Sequence, residues 1–300
     1  MKQFVWNRRG SLGDVIMTLN LLKNFKEKHN NPRIVYSTHP WTKNIMEEFL
    51  LTCGIDEVVD HGKVMSNQIN LWGYAVNHKD PLKGHPYVVS NEHLITGFAK
   101  NLGVEPDFDS LDFKKPPFPF KGDYLTIHVK SGWSNYKEWS FEKWEELCER
   151  FKKEGIKVLQ IGGKEDPVIK NCHGVVRSSP GESEDKMLFK MGISALANAR
   201  LHIGIDSWST HALNIKWDGS RTKSIILWGS SNVNMSGYKT QTNIVKGLPC
   251  QPCLKESPYK SKVPLGPCHF PPDQTYDKPR HHCMGLINID EVFNKAMSMW

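Results

Sequence analysis

The chain predicts an α/β fold made of two parallel-sheet domains. Three observations carry this. Strand-like and helix-like segments alternate through most of the 300 residues. The alternation stops at a proline-rich stretch, KKPPFPFKGD at 114–123, and then restarts. The Gly, Asp, Lys and Ser residues suited to ligand binding bunch in turns that follow strand-like segments, where open parallel sheets hold their ligands.

In chain order, KQFVWN (2–7) reads as a strand, and residues 14–29 carry Val15, Ile16, Leu19, Leu22 and Phe25 near helical spacing. RIVYS (33–37) is strand-like, TKNIMEEFLL (42–51) helical, and DEVVD (56–60) a short strand. Residues 61–90 hold no clear period and predict loops with one strand. SNEHLITGFAKNLG (90–103) predicts a helix capped by Ser90 and stopped by Gly103. Three prolines and a glycine exclude a regular helix or central strand from 114–123, which predicts a linker.

Beyond the linker, YLTIHV (124–129) is a strand. SFEKWEELCERFKKEG (140–155) is a helix with Ser140 as its N-cap and Gly155 at its stop. KVLQIGG (157–163) is a buried strand ending in glycines, followed by a short helix at 166–172 and a strand at 174–177. Residues 183–199 predict a helix broken near Gly192. ARLHIGID (199–206) is a strand, SWSTHALNI (207–215) a helix, KSIILWG (223–229) a strand and IDEVFNKAMSMW (289–300) a closing helix. The domains are predicted as 1–116 and 117–300, the second carrying a Pro-, Cys- and His-rich segment at 247–285.

Hydrophobic residues make up 39% and charged ones 24%, which permits a packed core and argues against wholesale disorder. The net charge of +7 fits an anionic partner: a nucleotide, a phosphorylated glycan, a membrane surface or a nucleic acid. Nucleic acid ranks below the others because no recognised DNA-binding motif is present. No stretch approaches the ~20 apolar residues of a membrane span. The start, MKQFVWNRRGS, lacks the apolar core of a signal peptide. A cytoplasmic location is expected, with peripheral contact at the inner membrane surface compatible with the charge.

Three turns carry the candidate chemistry. The first, RRGSLGDVI (8–16), places Gly10 and Gly13 in a tight turn and Asp14 at a helix start. Its G-x-x-G spacing fits neither the dinucleotide fingerprint nor a P-loop. By residue chemistry alone Asp14 is first a capping residue, stabilised there by the helix dipole. The second, HVKSGWSNYKEW (128–139), offers Lys130, Ser131, Ser134 and Lys137 ahead of a helix; it serves equally as an anion site or a solvated basic loop. The third, GIDSWSTHALNI (204–215), bunches Asp206, Ser207 and Ser209 at a helix start, with His211 one turn in. WGSSNVN (228–234) adds a further strand end of small polar residues.

Together these stretches resemble glycosyltransferase family 9, the ADP-heptose:lipopolysaccharide heptosyltransferases. RRGSLGDVIMTLNLLKNF is similar to their Arg-x-Ser-x-x-Gly-Asp-Val-Ile motif and the Leu-rich helix after it. KEWSFEKWEEL resembles their Lys-x-Trp-Pro motif, with Ser140 in place of the proline. IGGKED, ISALANARLHIGIDSWSTHAL, IILWGSSN and the Cys-rich end follow in the family's order. The resemblance implies a GT-B fold, two Rossmann-like domains facing a central cleft. It implies inverting, metal-independent transfer of a sugar from a nucleotide-diphosphate sugar, an ADP-sugar foremost, to an acceptor hydroxyl on a surface glycan. Asp14 takes the place of the family's general base, with Ser11 and Gly13 on the acceptor side. Lys137, Ser131, Gly162, Gly163, Glu165, Asp206, Ser207 and His211 fall on the donor phosphate and nucleotide side. Two departures stand out. Trp208 replaces the glycine expected after Asp206-Ser207, which predicts a reshaped donor site or a ring stacked on the ligand. The segment before the linker is shorter than usual, which points to an altered acceptor.

Of seven cysteines, Cys53, Cys148 and Cys172 are expected as plain thiols. Cys250, Cys253, Cys268 and Cys283 are compatible with a structural zinc, although the spacings are loose and unassigned thiols are the simpler expectation. Competing functions are a transferase acting on an unusual acceptor such as a modified nucleic-acid base, and a nucleotide-sugar-binding protein without catalysis. An oxidoreductase is the weakest rival, because its glycine fingerprint is missing.

Overall fold

The computed structural model describes residues 2–62, 66–71, 92–132, 134–176, 184–252 and 282–300. The first half runs β1 (Gln3–Asn7), α1 (Leu12–Leu19), α2 (Leu22–Lys28), β2 (Arg33–Thr38), α3 (Pro40–Thr52), β3 (Glu57–Asp60), β4 (Gln68–Asn70), α4 (Leu94–Leu102) and β5 (Asp112–Phe113). Strands β1 to β4 form a parallel sheet in the order β3-β2-β1-β4. Val5, Trp6, Val35 and Tyr36 in its centre are fully buried, as strands covered on both faces require.

The helix expected over 14–29 is two helices. They part at Asn20, whose carbonyl accepts the Ser110 hydroxyl at 2.7 Å and whose side chain donates back to Met17 O at 3.2 Å. The cap of α4 is His93, whose Nδ1 accepts the Ile95 N–H at 3.2 Å, and not Ser90, which lies outside the described residues. Gly103 ends α4 in the left-handed conformation, as expected.

The second half runs β6 (Leu125–His128), α5 (Phe141–Lys153), β7 (Val158–Ile161), β8 (Gly174–Val175), α6 (Glu184–Asn198), β9 (Leu201–Ile205), α7 (Trp208–Ala212), β10 (Lys216–Trp217), β11 (Lys223–Trp228), α8 (Val233–Ser236), β12 (Thr242–Val245), α9 (His282–Gly285) and α10 (Ile289–Met299). Six of its strands form a second parallel sheet, β12-β11-β9-β6-β7-β8. The chain winds outward from β6 in one direction, then returns and winds outward from β9 in the other. That reversal opens a crevice between β6 and β9 at their carboxyl ends. The first sheet has the same feature between β1 and β4.

Two expectations fail here for local reasons. Residues 166–172 form turns rather than a helix. The buried Gln160 side chain pins them, donating to Pro167 O at 2.7 Å and accepting the Ile169 N–H at 2.9 Å, while Pro167 disfavours helical backbone before it. And α6 runs unbroken through Gly192, for a reason taken up with Trp208 below.

The halves are joined by more than the linker. β5 pairs with β10 in parallel, the Asn198 amide donates to Pro116 O at 2.8 Å, and Phe118 and Phe120 pack on Tyr124. One apolar core runs from Trp6 of the first sheet and Phe25 of α2 to Ile161 and Trp228 of the second sheet, with α1 packed on α7 and α3 on α6. A separate core, built on Trp139, Trp144 and Leu147, lies between the second sheet and α5 and α10. Cys148 and Cys172 stand 3.6 Å apart, sulfur to sulfur, as unlinked thiols.

Candidate active site

At the crevice of the first sheet, Arg8 leaves β1 and turns inward, 5% exposed. Its Nη1 donates to Leu71 O, just after β4, at 3.2 Å, and its guanidinium lies over the Phe98 ring at 5.2 Å. Its Nη2 meets Asp14 Oδ2 at 2.8 Å. Ser11 caps α1, and Asp14, at the third helical position, accepts the Ser11 N–H at 3.2 Å and its hydroxyl at 3.3 Å through the same Oδ2. The capping role is therefore real, and Asp14 also neutralises a buried cation. Both glycines of the turn have their space filled by the chain itself. A Cβ on Gly10 would collide with the Asp14 carboxylate, and one on Gly13 would come within 2.5 Å of His211 Cδ2. Gly13 is thus the point where α1 meets α7, while Ser11 is exposed.

At the crevice of the second sheet, Lys137 sits in a 3-10 turn, Asn135–Lys137, after β6, and Asp206 follows β9. Lys137 Nζ and Asp206 Oδ2 are 2.6 Å apart and largely buried. Burial pushes the Asp206 carboxyl up, but Lys137 leads the opposing charges and the group stays below its ordinary value. His211 Nδ1 lies 3.1 Å from the Tyr238 hydroxyl, and its far edge rests on Gly13. Burial lowers the His211 imidazole, against the pull of Asp206 and Asp14. Ser207 Oγ is 2.7 Å from His128 Nδ1. Ser131 organises its loop: its N–H donates to Glu138 Oε1 at 3.1 Å and its hydroxyl accepts the Ser134 N–H at 3.3 Å.

The contact of α1 with α7 brings the Asp14 turn against the Asp206–His211 turn, with Lys137 paired to the latter. Gly162 and Gly163 follow β7 on the neighbouring strand. Glu165 is exposed; its neighbour Asp166 turns inward instead, where Asp166 Oδ2 accepts the Gly163 N–H at 2.9 Å. Arg8, His128, Asp166 and Tyr238 join the site beyond the residues expected from the sequence. Two signals were present: Arg8 stands at the arginine of the Arg-x-Ser-x-x-Gly-Asp pattern, and IGGKED holds a pair of acids. The Trp208 ring packs among His128, at 5.6 Å, Phe189, at 5.1 Å, and Gly192. A Cβ on Gly192 would stand 2.9 Å from Trp208 Cη2, so the glycine inside α6 makes room for the ring. Of the four C-terminal cysteines, Cys253 and Cys268 lie outside the described residues. Among the described residues no group of three or more metal-ligating side chains assembles.

Two Rossmann-like parallel sheets, in halves that pack through α1 on α7 and α3 on α6, make the GT-B fold. No family model matches the sequence, and no curated protein matches it. Among solved structures, the chain is similar to TibC, the iron-containing dodecameric glycosyltransferase of enterotoxigenic E. coli, with a TM-score of 0.68 and 16% identity over 99% of this chain and 76% of that one. It is similar to E. coli ADP-heptose lipopolysaccharide heptosyltransferase II, with a TM-score of 0.56 and 12% identity over 100% and 98% of the two chains. A family 9 glycosyltransferase of Veillonella parvula gives a TM-score of 0.55 and 17% identity over 81% and 85%. At these identities the likeness establishes the fold.

Proposed function

We propose that the chain is an inverting glycosyltransferase that moves a sugar from a nucleoside-diphosphate sugar to an acceptor hydroxyl. The observation that carries this is the packing of α1 on α7 through Gly13 and His211, which brings the Asp14 helix start of the 1–116 half up to the turn of the 117–300 half that holds the Lys137–Asp206 pair and Ser207. In this reading Asp14 accepts the acceptor proton as the hydroxyl oxygen attacks the anomeric carbon. An alcohol is far too weak an acid to lose that proton unaided at neutral pH. The bond to the diphosphate breaks on the opposite face, and charge builds on the leaving oxygen. Lys137 has three N–H donors, so it can keep Asp206 and still meet a phosphate oxygen, and Asp206 holds it preorganised.

An ADP-sugar is the favoured donor, since TibC is known in complex with ADP-D-β-D-heptose and shares this fold. The acceptor is proposed to be a glycan reached from the cytoplasmic side of the membrane; a hydroxylated nucleic-acid base remains the second choice. No catalytic metal is needed where Lys137 serves the diphosphate. The Cys250, Cys253, Cys268 and Cys283 set is proposed as a structural metal holder, in view of the iron in TibC. Metal analysis of chain purified without chelator should find one iron or zinc per chain, lost in Cys250→Ser; metal-free active protein would remove this part. The donor is tested by thermal shift with ADP- and UDP-sugars against NAD(P). A ligand at a hundred times its dissociation constant stabilises by about 2.7 kcal/mol, a readily visible shift. Stabilisation by an ADP-sugar is expected, and a response to NAD(P) alone would overturn the proposal.

A further inference from the structure

Next to the Lys137–Asp206 pair lies a second polar cluster. His128 ends β6, an otherwise Leu-Thr-Ile strand, and is 3% exposed. Its Nδ1 lies 2.7 Å from Ser207 Oγ and 2.9 Å from Ser209 Oγ, with the two hydroxyls 3.3 Å apart. On its other side Nε2 stands 4.0 Å from Asp166 Oδ2, too far for a hydrogen bond. A Cβ on Gly162 would collide with the Asp166 carboxylate and come within 3.5 Å of the His128 ring, so the glycine after β7 leaves room for both.

The protons of this cluster can be counted. Burial pushes the His128 imidazole down to about 4, so near neutral pH it carries one N–H and one lone pair. Ser209 is completely buried, and its hydroxyl has His128 and Ser207 as partners. Ser207 is only partly buried. In one arrangement Nδ1 accepts, Nε2 carries the proton toward Asp166, and a serine hydroxyl is spent on the ring. In the other, Nδ1–H donates to Ser207 Oγ, Ser209 donates to the same oxygen, and the Ser207 proton is left to point outward. A phosphate oxygen only accepts, so it selects the second arrangement, and hydrogen bonds in series strengthen one another.

We infer that His128 is a positioning residue for a nucleoside diphosphate: through Nδ1–H it holds Ser207 Oγ and aims the Ser207 hydroxyl at a phosphate oxygen. This rests on the nucleotide-sugar reading above. Isothermal titration of the full chain with ADP and with adenosine tests it, because only ADP carries the phosphate. His128→Gln sets its amide near the Nε2 position and should weaken ADP about tenfold, the scale of one hydrogen bond to a charged acceptor, while sparing adenosine. His128→Asn sets its amide near Nδ1 and should stay close to wild type. Ser207→Ala should lose about the same factor, and adding His128→Gln to it should cost nothing further. In spectra of 15N-labelled histidine, ADP should convert His128 to the Nδ1–H form. Equal weakening of ADP and adenosine, a further loss in the double variant, or an unchanged Ser207→Ala would overturn the inference. A wild-type chain that binds no adenine nucleotide would instead take down the nucleotide reading, and the inference with it.

Discussion

Asp14 serves three groups with one carboxylate oxygen: Arg8, the Ser11 N–H and the Ser11 hydroxyl. This changes what Asp14→Asn reports. Loss of a simple cap would cost about 1 kcal/mol. Removing the partner of a buried cation costs more, about 3–5 kcal/mol where the pair is fully enclosed. Asp14 is 13% exposed, so a loss between these is expected. A lowered melting temperature therefore says nothing about catalysis. The discriminating measurement is turnover at a temperature where the variant is folded and still binds the donor. A fall of about 10²–10⁴ is expected for a lost base, and retained turnover would return Asp14 to a purely structural role. The sequence made Asp14 legible through its turn and its resemblance. It could not show that Arg8, rather than the adjacent Arg9, points inward, because that choice is set by which way the chain leaves β1.

At the scale of elements, α6 and α7 are matched to each other. Gly192 lies mid-helix, where glycine costs about 1 kcal/mol relative to alanine. That cost is the reason the sequence suggested a break. The ring of Trp208 removes the conflict, since the helix needs an absent side chain at that level. Gly192→Ala should therefore destabilise the chain, as overpacking by a methyl group typically costs about 1–3 kcal/mol and exceeds the propensity gain. In a Trp208→Ala background the same substitution should stabilise. Denaturant midpoints of the four variants check this, and equal effects in both backgrounds would disprove the match. Trp208 was visible in the sequence as a departure at a donor turn. Its partner was not, because residues 192 and 208 meet only once α6 and α7 pack. The strand ends and their order were legible, since apolar runs followed by small polar residues mark the edge of a parallel sheet. His128 was hidden for the opposite reason: as the last residue of an apolar strand it reads as core.

Across the whole molecule, buried histidines set the acid limit. Burial, the first cause in each case, carries His93 to about 3 and His128 to about 4, and lowers His202 and His211 as well. In the unfolded chain each takes its proton near 6.5. Between those values the unfolded state binds more protons, so stability rises with pH there. It is fully present above about 6.5 and is lost as the pH falls through the folded values, each group adding at most about 1.4 kcal/mol per pH unit. Asp206, held low, acts in the same direction, and Asp166, raised by burial, acts against it. Urea midpoints should drop steadily from pH 7 to pH 4.5, and a flat profile would contradict the assignment. The contact of Gly13 with His211 acts as a spacer gauge at this scale. With no side chain at position 13, the backbone of α1 rests directly on the α7 imidazole, and a Cβ there would stand 2.5 Å from His211 Cδ2. The distance between the Asp14 turn and the Asp206–His211 turn is therefore set by the absence of one methyl group.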